Sequence, residues 1–284
     1  MDNLDQRLNA YRPDLADERL RGIIDAPRYV TGKLMRVIAP VAALYKIPDR
    51  KSERQSECLF GEDVLVFETA DKFCWVQSLQ DGYVGYVEQV NLGDFQSMAT
   101  HIVIAPRSFQ YENADLRSPM VSALSIGSKV TIVGESETRA TLYAKLDNGN
   151  YVIADHLAPV AHISPDYVST AENLIHTPYL WGGKSGLGID CSGLVQLSMM
   201  MAGKRVLRDT DMQVNTIGTD IDPSDGLQRG DLVFWKGHVA IMVDHQNIIH
   251  ANGASMNVKI EPLEQAIARI ARHYAQPTCY RRPD

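Results

Sequence analysis

Cys191 is the residue in this chain best suited to chemistry. It sits in the run Gly188-Ile189-Asp190-Cys191-Ser192-Gly193, and an apolar helical run, Leu194 to Met201, follows it. Glycine, acid and serine neighbours make a poor core environment. The pattern sets the thiol at the first turn of a helix. A helix N-terminus stabilises negative charge, and a nearby imidazolium adds to that, so a thiol there is expected to ionise below its usual pKa of about 8.5. The alternative is a buried cysteine packing as a small hydrophobe. That reading suits Cys58, Cys74 and Cys279, each in or beside an apolar strand-like run. Two histidines are the natural partners for Cys191. His238 opens the run His238-Val239-Ala240-Ile241-Met242-Val243, and His250 closes Ile248-Ile249-His250. Both runs read as strands joined by a turn at residues 244–247. They put the two rings on one sheet face only if the loop between them has odd length or a bulge intervenes. The pair alone would also suit a metal, but no third ligand stands at metal-like spacing. The remaining six histidines have no motif around them.

The elements around these residues alternate helix and strand. Ser164-Pro165-Asp166 reads as a helix start with Ser164 as cap and Pro165 at the first position. Pro178 stops that run, and a glycine-rich approach leads to Cys191. Gly230–Trp235 gives one more strand. Residues 161–284 therefore form an α+β segment.

The preceding region is of another kind. Val37-Ile38-Ala39-Pro40 recurs 66 positions on as Val103-Ile104-Ala105-Pro106; Tyr45, Gly61 and Val64 recur as Tyr111, Gly127 and Val130. Asp81-Gly82 meets Asn148-Gly149 after a one-residue slip, and both dipeptides supply the positive φ of a tight hairpin. Each copy reads as short strands: Val64–Glu68, Cys74–Leu79 and Tyr83–Val87, then Val130–Gly134, Thr141–Leu146 and Tyr151–Ala154. The expected organisation is an N-terminal helical arm (1–29, from the pattern of Leu15, Leu20, Ile23 and Ile24), two small β-barrels (30–96 and 97–160) and the α+β segment (161–284).

Composition narrows the function classes. With 45% hydrophobic and 22% charged residues, 284 residues can bury a real core, which excludes wholesale disorder. Asp and Glu outnumber Lys and Arg by 35 to 28, a net charge of −7, which argues against a nucleic-acid partner. The first twenty residues carry scattered charges and no apolar core of a leader, and no run approaches the ~18 apolar residues of a membrane span. Four cysteines are too few for a disulfide scaffold. The expected setting is a reducing cytoplasm, with no membrane partner.

Taken together, Tyr179–Gly183, Asp190-Cys191-Ser192-Gly193, Arg208-Asp209, Gly230-Asp231-Leu232, His238-Val239 and Ile249-His250-Ala251 resemble the NlpC/P60 cysteine peptidase family. Both repeat copies resemble bacterial SH3 (SH3b) barrels. The resemblance implies a multi-domain α+β protein, two SH3-like barrels followed by a papain-like NlpC/P60 domain. It resembles the γ-D-glutamyl-L-diamino acid endopeptidases that cut murein stem peptides. By position it implies Cys191 as nucleophile, His238 as general base and acid, and His250 as the polar residue orienting His238. The Cys191 backbone N–H would serve the oxyanion. Tyr179, Asp190, Ser192 and Asp209 match groove positions. A substrate with a free N-terminal L-Ala needs a carboxylate for its ammonium, with Asp209 first in line and Glu57 second, because Glu57 has Ala123 in the other repeat. Tyr86 is the candidate wall against longer, glycan-linked substrates, through contact of the first barrel with the catalytic domain. Plainer roles stand beside these: Glu57 as a surface acid, Tyr86 as barrel core, Asp190 as a helix cap. No cofactor or metal is implied. Ala240 departs from the glycine usual after His-Val. With no visible leader, the resemblance points to recycling of wall peptides; the alternatives are an amidase or acyltransferase on the same scaffold, or a non-catalytic wall-binding protein.

Overall fold

The structure, a computed structural model, describes residues 4–284. The chain divides into two compact units, residues 1–161 and 162–284. Among the described residues no helix is long and apolar enough to cross a membrane.

The first unit is built from strands. Seven of them form one sheet in the order Leu92–Asp94, Lys33–Val37, Asp63–Ala70, Phe73–Ser78, Val84–Glu88, Val41–Tyr45, Arg54–Leu59. Further along the chain, Ile132–Thr138, Thr141–Leu146, Tyr151–Ile153, Arg107–Tyr111 and Met120–Ser125 adjoin in the corresponding order. The 66-residue offset reappears in the pairing itself. Tyr45 faces Arg54 just past a register shift, and Tyr111 faces Met120 past the same shift. Tyr45 also pairs with Tyr86, as Tyr111 does with Tyr151. Gly61 and Gly127 take φ of +77° and +86° in matching turns. A Cβ on Gly61 would meet the Lys129 carbonyl oxygen at 1.9 Å, so this glycine also permits a close approach within the unit.

The expected N-terminal helical arm is not found. Residues 11–30 form three short strands, Tyr11–Arg12, Leu15–Asp17 and Tyr29–Val30, with a single 3-10 turn at Glu18–Leu20. Pro13, Gly22 and Pro27 interrupt any helix, and the apolar residues serve different faces. Leu15 is fully buried against Phe67, Trp75 and Val84, while Ile23 is exposed. Residues 1–3 of the expected arm lie outside the described residues.

The second unit sets four helices around a six-stranded antiparallel sheet, with a separate two-stranded hairpin, Lys184–Ser185 and Gly188–Ile189, just before the cysteine. The helices are α1 (Tyr167–Glu172), α2 (Cys191–Met201), α3 (Thr210–Thr216) and α4 (Leu263–Ala271). The strands are β1 (Thr219–Asp220), β2 (Leu232–Trp235), β3 (His238–Met242), β4 (Asn247–Asn252), β5 (Asn257–Pro262) and β6 (Cys279–Arg282), in the order β1-β6-β2-β3-β4-β5. Asp166, not Ser164, caps α1: its carboxylate accepts from the Val168 N–H at 2.9 Å, so the helix starts two residues later than expected. α4 is amphipathic and lays Leu263, Ala266 and Ile270 on Val233, Trp235, Ala240, Met242 and Ile248. Ala240 is thus a core residue, and a methyl there fills space.

Candidate active site

Cys191 is the first residue of α2, and Asp190 caps that helix by accepting from the Gly193 N–H at 2.7 Å. The same carboxylate accepts from the Gly182 N–H at 2.9 Å and from both terminal nitrogens of Arg208, at 3.0 and 2.7 Å. Arg208 is fully buried and also donates to Ser192 Oγ at 2.8 Å and to the Gly183 carbonyl at 3.1 Å. Gly193 is required by this packing, since a Cβ there would lie 2.2 Å from the Gly183 oxygen. With Gly193 taken by the cap, the Cys191 amide still has no acceptor within the helix, as is general for a first turn. Asp190 and Ser192, both expected at the groove, spend their polar atoms on this buried lock. The cap reading of Asp190 describes what the structure shows.

The thiol itself is buried. Its partners include the backbone N–H groups of Val239, the residue after His238, and of Ser192, and Thr210 Oγ1 at 3.9 Å. Burial, then the adjacent Asp190 charge, push it up to about 11. The expectation of a thiol ionising below its usual range is therefore overturned. Desolvation outweighs the helix end, and the carboxylate that caps the helix also opposes a second negative charge beside it.

The histidines lie on the sheet face that α4 covers. β3 and β4 pair at Ile241–Ile249 and Met242–Ile248, and the Val243 N–H closes on the Asn247 carbonyl at 2.9 Å. Three residues turn between that last pair, an odd number, and so the parity condition is met without a bulge. Carrying the register along sets Ala240 across from His250 and keeps His238 on the same face. His238 Nε2 and His250 Nδ1 are 2.9 Å apart, and His250 Nε2 lies 2.8 Å from Glu261 Oε1 on β5. Arg269 of α4 closes the row with an ion pair to Glu261. Burial and the neighbouring His250 hold His238 down at about 3; burial lowers His250 too, against the pull of Glu261. Glu261 is lowered to about 2, first by the hydrogen bond from His250 and then by Arg269.

The row fixes where the protons are. A carboxylate only accepts, so His250 carries its proton on Nε2. Being neutral, it accepts at Nδ1, and His238 must donate there from Nε2. The lone pair of His238 is then on Nδ1. That leaves a neutral imidazole with its lone pair on Nδ1, next in chain to the amide that touches the thiol. Glu261 and Arg269 were not singled out from the sequence, because Glu261 joins the site only through the β4–β5 register, in which Lys259 faces His250 and Glu261 faces Ile248. Arg208 was noticed only as part of a motif. Both nitrogens of His250 are engaged within the protein, which leaves no ring atom for a metal.

The other expected residues are dispersed. Tyr179 is half-buried, and its hydroxyl is raised by burial and then by the nearby Cys191 and Asp190 charges. Asp209 is the N-cap residue of α3, and its side chain makes no cap bond. Glu57 and Tyr86 belong to the first unit. Glu57 is buried and ion-paired with Arg54. Tyr86 packs beside Trp75 and Val84, and its hydroxyl accepts from Arg12 at 3.2 Å.

With a capped cysteine helix and a carboxylate-anchored pair of histidines in place, comparison with known proteins becomes informative. Residues 176–276 match the NlpC/P60 family, and residues 44–92 match the bacterial dipeptidyl-peptidase SH3 domain. The second unit carries an NlpC/P60 domain. One SH3 domain is detected ahead of it, where two were expected; the second copy repeats the strand order. Dipeptidyl-peptidase 6 of Lysinibacillus sphaericus is 28% identical over 248 residues, covering 81% of this chain and 91% of that protein. The γ-D-glutamyl-L-lysine dipeptidyl-peptidase of Bacillus subtilis is 27% identical, covering 75% of this chain and 77% of that one. A crystal structure of an NlpC/P60 family protein from Bacillus cereus superposes with a TM-score of 0.73 at 20% identity, covering 88% of this chain and 99% of that chain, a likeness of fold.

Proposed function

We propose that this chain is a cysteine peptidase that hydrolyses the γ-D-glutamyl–L-diamino acid bond of murein peptides bearing a free N-terminal L-Ala. The observation that carries the reading is the row His238–His250–Glu261, whose first member immediately precedes Val239, the residue whose backbone N–H reaches the thiol of Cys191. The names of the relatives supply the bond class. In this mechanism His238 Nδ1 takes the thiol proton as Cys191 Sγ attacks the carbonyl. The oxyanion meets the Cys191 amide at the helix start. His238 returns the proton to the leaving amine. Water, deprotonated by the same nitrogen, then releases the acyl group from sulfur. Thiol and imidazole are both neutral at rest, so charge separates only as the bond forms, in a site already lined with fixed dipoles.

Asp209 is the proposed partner of the substrate ammonium, and the repeated strands of the first unit are read as a pair of SH3-like barrels. The test is a comparison of L-Ala-γ-D-Glu-L-Lys and its meso-diaminopimelate counterpart with their N-acetylated forms. Release of the free diamino acid is expected, with kcat/KM lower by about tenfold or more on acetylation. Equal rates on free and acetylated peptides would remove the ammonium site. Transfer of the acyl group to added amines without hydrolysis would favour the amidase or acyltransferase alternative.

A further inference from the structure

A cleft of about 820 Å³ opens beside His238 in the second unit. Its lining is unlike the chain as a whole. The protein carries a net charge of −7, yet none of the described residues lining this cleft is acidic, while Lys236, Arg269, His238 and His273 all contribute. Two further lining residues carry buried donors without an acceptor: Trp235 Nε1 and Asn252 Nδ2. The Asn252 amide is oriented by its turn, since its Oδ1 accepts from the Ala254 and Ser255 N–H groups, so the NH₂ end is the one left unpaired. Trp235 pairs with His238 across β2 and β3, and the β3–β4 register carries the same row to Asn252. Cations in the lining and buried, unsatisfied N–H groups on two of its residues, with no competing carboxylate among them, are what an anionic acceptor requires.

Position identifies which part of a substrate this is. In acyl transfer the leaving amine must lie against the group that protonates it, here His238. The cleft adjoins His238 on the row of Trp235 and Asn252. It therefore receives the portion of substrate on the amine side of the broken bond. We propose that this cleft is the leaving-group subsite and that it binds a carboxylate carried by the leaving amino acid, through Lys236, Trp235 Nε1 and Asn252 Nδ2. The inference rests on the peptidase reading for its placement of the leaving group, while carboxylate binding can be measured separately.

The experiment pairs L-Ala-γ-D-Glu-L-Lys with its C-terminal amide. Calorimetric titration uses the Cys191→Ala protein, and cleavage uses the active protein. Binding of the acid is expected to be about tenfold tighter than that of the amide. Lys236→Gln, at an exposed position outside the core, and Trp235→Phe, which keeps an aromatic ring, though a smaller one, and removes the N–H, should each shrink that ratio by weakening the acid alone. In cleavage the loss should fall on KM more than on kcat. Equal Kd for acid and amide overturns the subsite whatever the cleavage result. An undiminished ratio in both variants overturns it as well, because the carboxylate then binds elsewhere. Cleavage of neither peptide by the active protein, with the Kd ratio intact, removes the peptidase reading and leaves the anion site standing.

Discussion

Two buried carboxylates, each backed by an arginine, hold the two halves of the site, and they do different work. Asp190 receives the Gly182 and Gly193 amides and the fork of Arg208, so it fixes backbone: the end of α2 and the glycine loop before it. Glu261 receives one imidazole N–H and Arg269, so it fixes a proton. Arg208 is shut away from solvent, while the Arg269 side chain is about one-third exposed. The difference teaches that the Cys191 end of α2 is positioned by a rigid, desolvated lock. The protons of His238 are set by hydrogen-bond polarity, which passes through two rings and needs little burial of its outermost cation. Asp190 even works against ionisation of the Cys191 thiol. In the proposed mechanism that is no obstacle, because His238 moves the proton during attack.

The largest effect expected is from Cys191→Ala. Turnover should fall to background while the urea midpoint stays within the range of an ordinary surface change, since the lock around Asp190 is untouched. Residual turnover in that variant would sink the nucleophile assignment.

Next in size is Glu261→Gln. The amide is nearly isosteric, but its NH₂ end can donate to His250 Nε2. His250 would then carry its proton on Nδ1 and force His238 to accept on Nε2. The His238 proton moves to Nδ1, and the base is lost. The serine-protease precedent for a wrong tautomer is a drop of about 10⁴ in kcat, and a loss of about 10²–10⁴ is expected here, with KM little changed. A loss under tenfold in kcat would mean that Glu261 does not control the protons of the row.

Arg208→Met tests the other carboxylate. It leaves Asp190 charged and unpaired inside the protein, which costs about 3–5 kcal/mol. Arg269→Met removes a pair nearer to water, and about 1 kcal/mol or less is expected. Urea titration of both proteins decides whether the lock and the row differ in the way described; equal losses would collapse the contrast.

How much of this could be read beforehand follows the same division. Asp190, Ser192 and Gly193 adjoin Cys191, so a local pattern was enough to mark a capped helix with a thiol at its start. His238 and His250 were visible as strand residues, and whether they met depended on a three-residue turn whose closing pair only the fold reveals. Glu261 was out of reach. Nothing in Lys259-Ile260-Glu261-Pro262 marks an acid as buried, and its role arises from a register set between β4 and β5. The depressed thiol pKa was misread for a related reason. Helix-end stabilisation is a local property, whereas the desolvation that overrides it depends on the whole packed surround. In the first unit the repeat was legible because it is a copy. The arm was misread because Leu15, Leu20 and Ile23 look periodic in sequence, yet only Leu15 among them is fully buried.

The smallest effect expected separates the two carboxylates by what they leave unchanged. Alkylation of Cys191 by iodoacetamide reads thiolate, not turnover. With the thiol near 11 and His238 near 3, neither group titrates between pH 6 and 9. A thiol whose pKa lies above this window is only slightly ionised across it, and its thiolate fraction rises about tenfold per pH unit. The alkylation rate should therefore climb steadily across the window, with no plateau. Glu261→Gln should leave that curve within about twofold, even as it removes most of kcat, because solvent and not His238 can take the thiol proton on this time scale. A plateau beginning below pH 6 would instead show a pre-formed thiolate–imidazolium pair. In that case Glu261 would be stabilising a charge on His250 and His238 as well as directing their protons, and the distinction between a backbone lock and a proton lock would no longer hold.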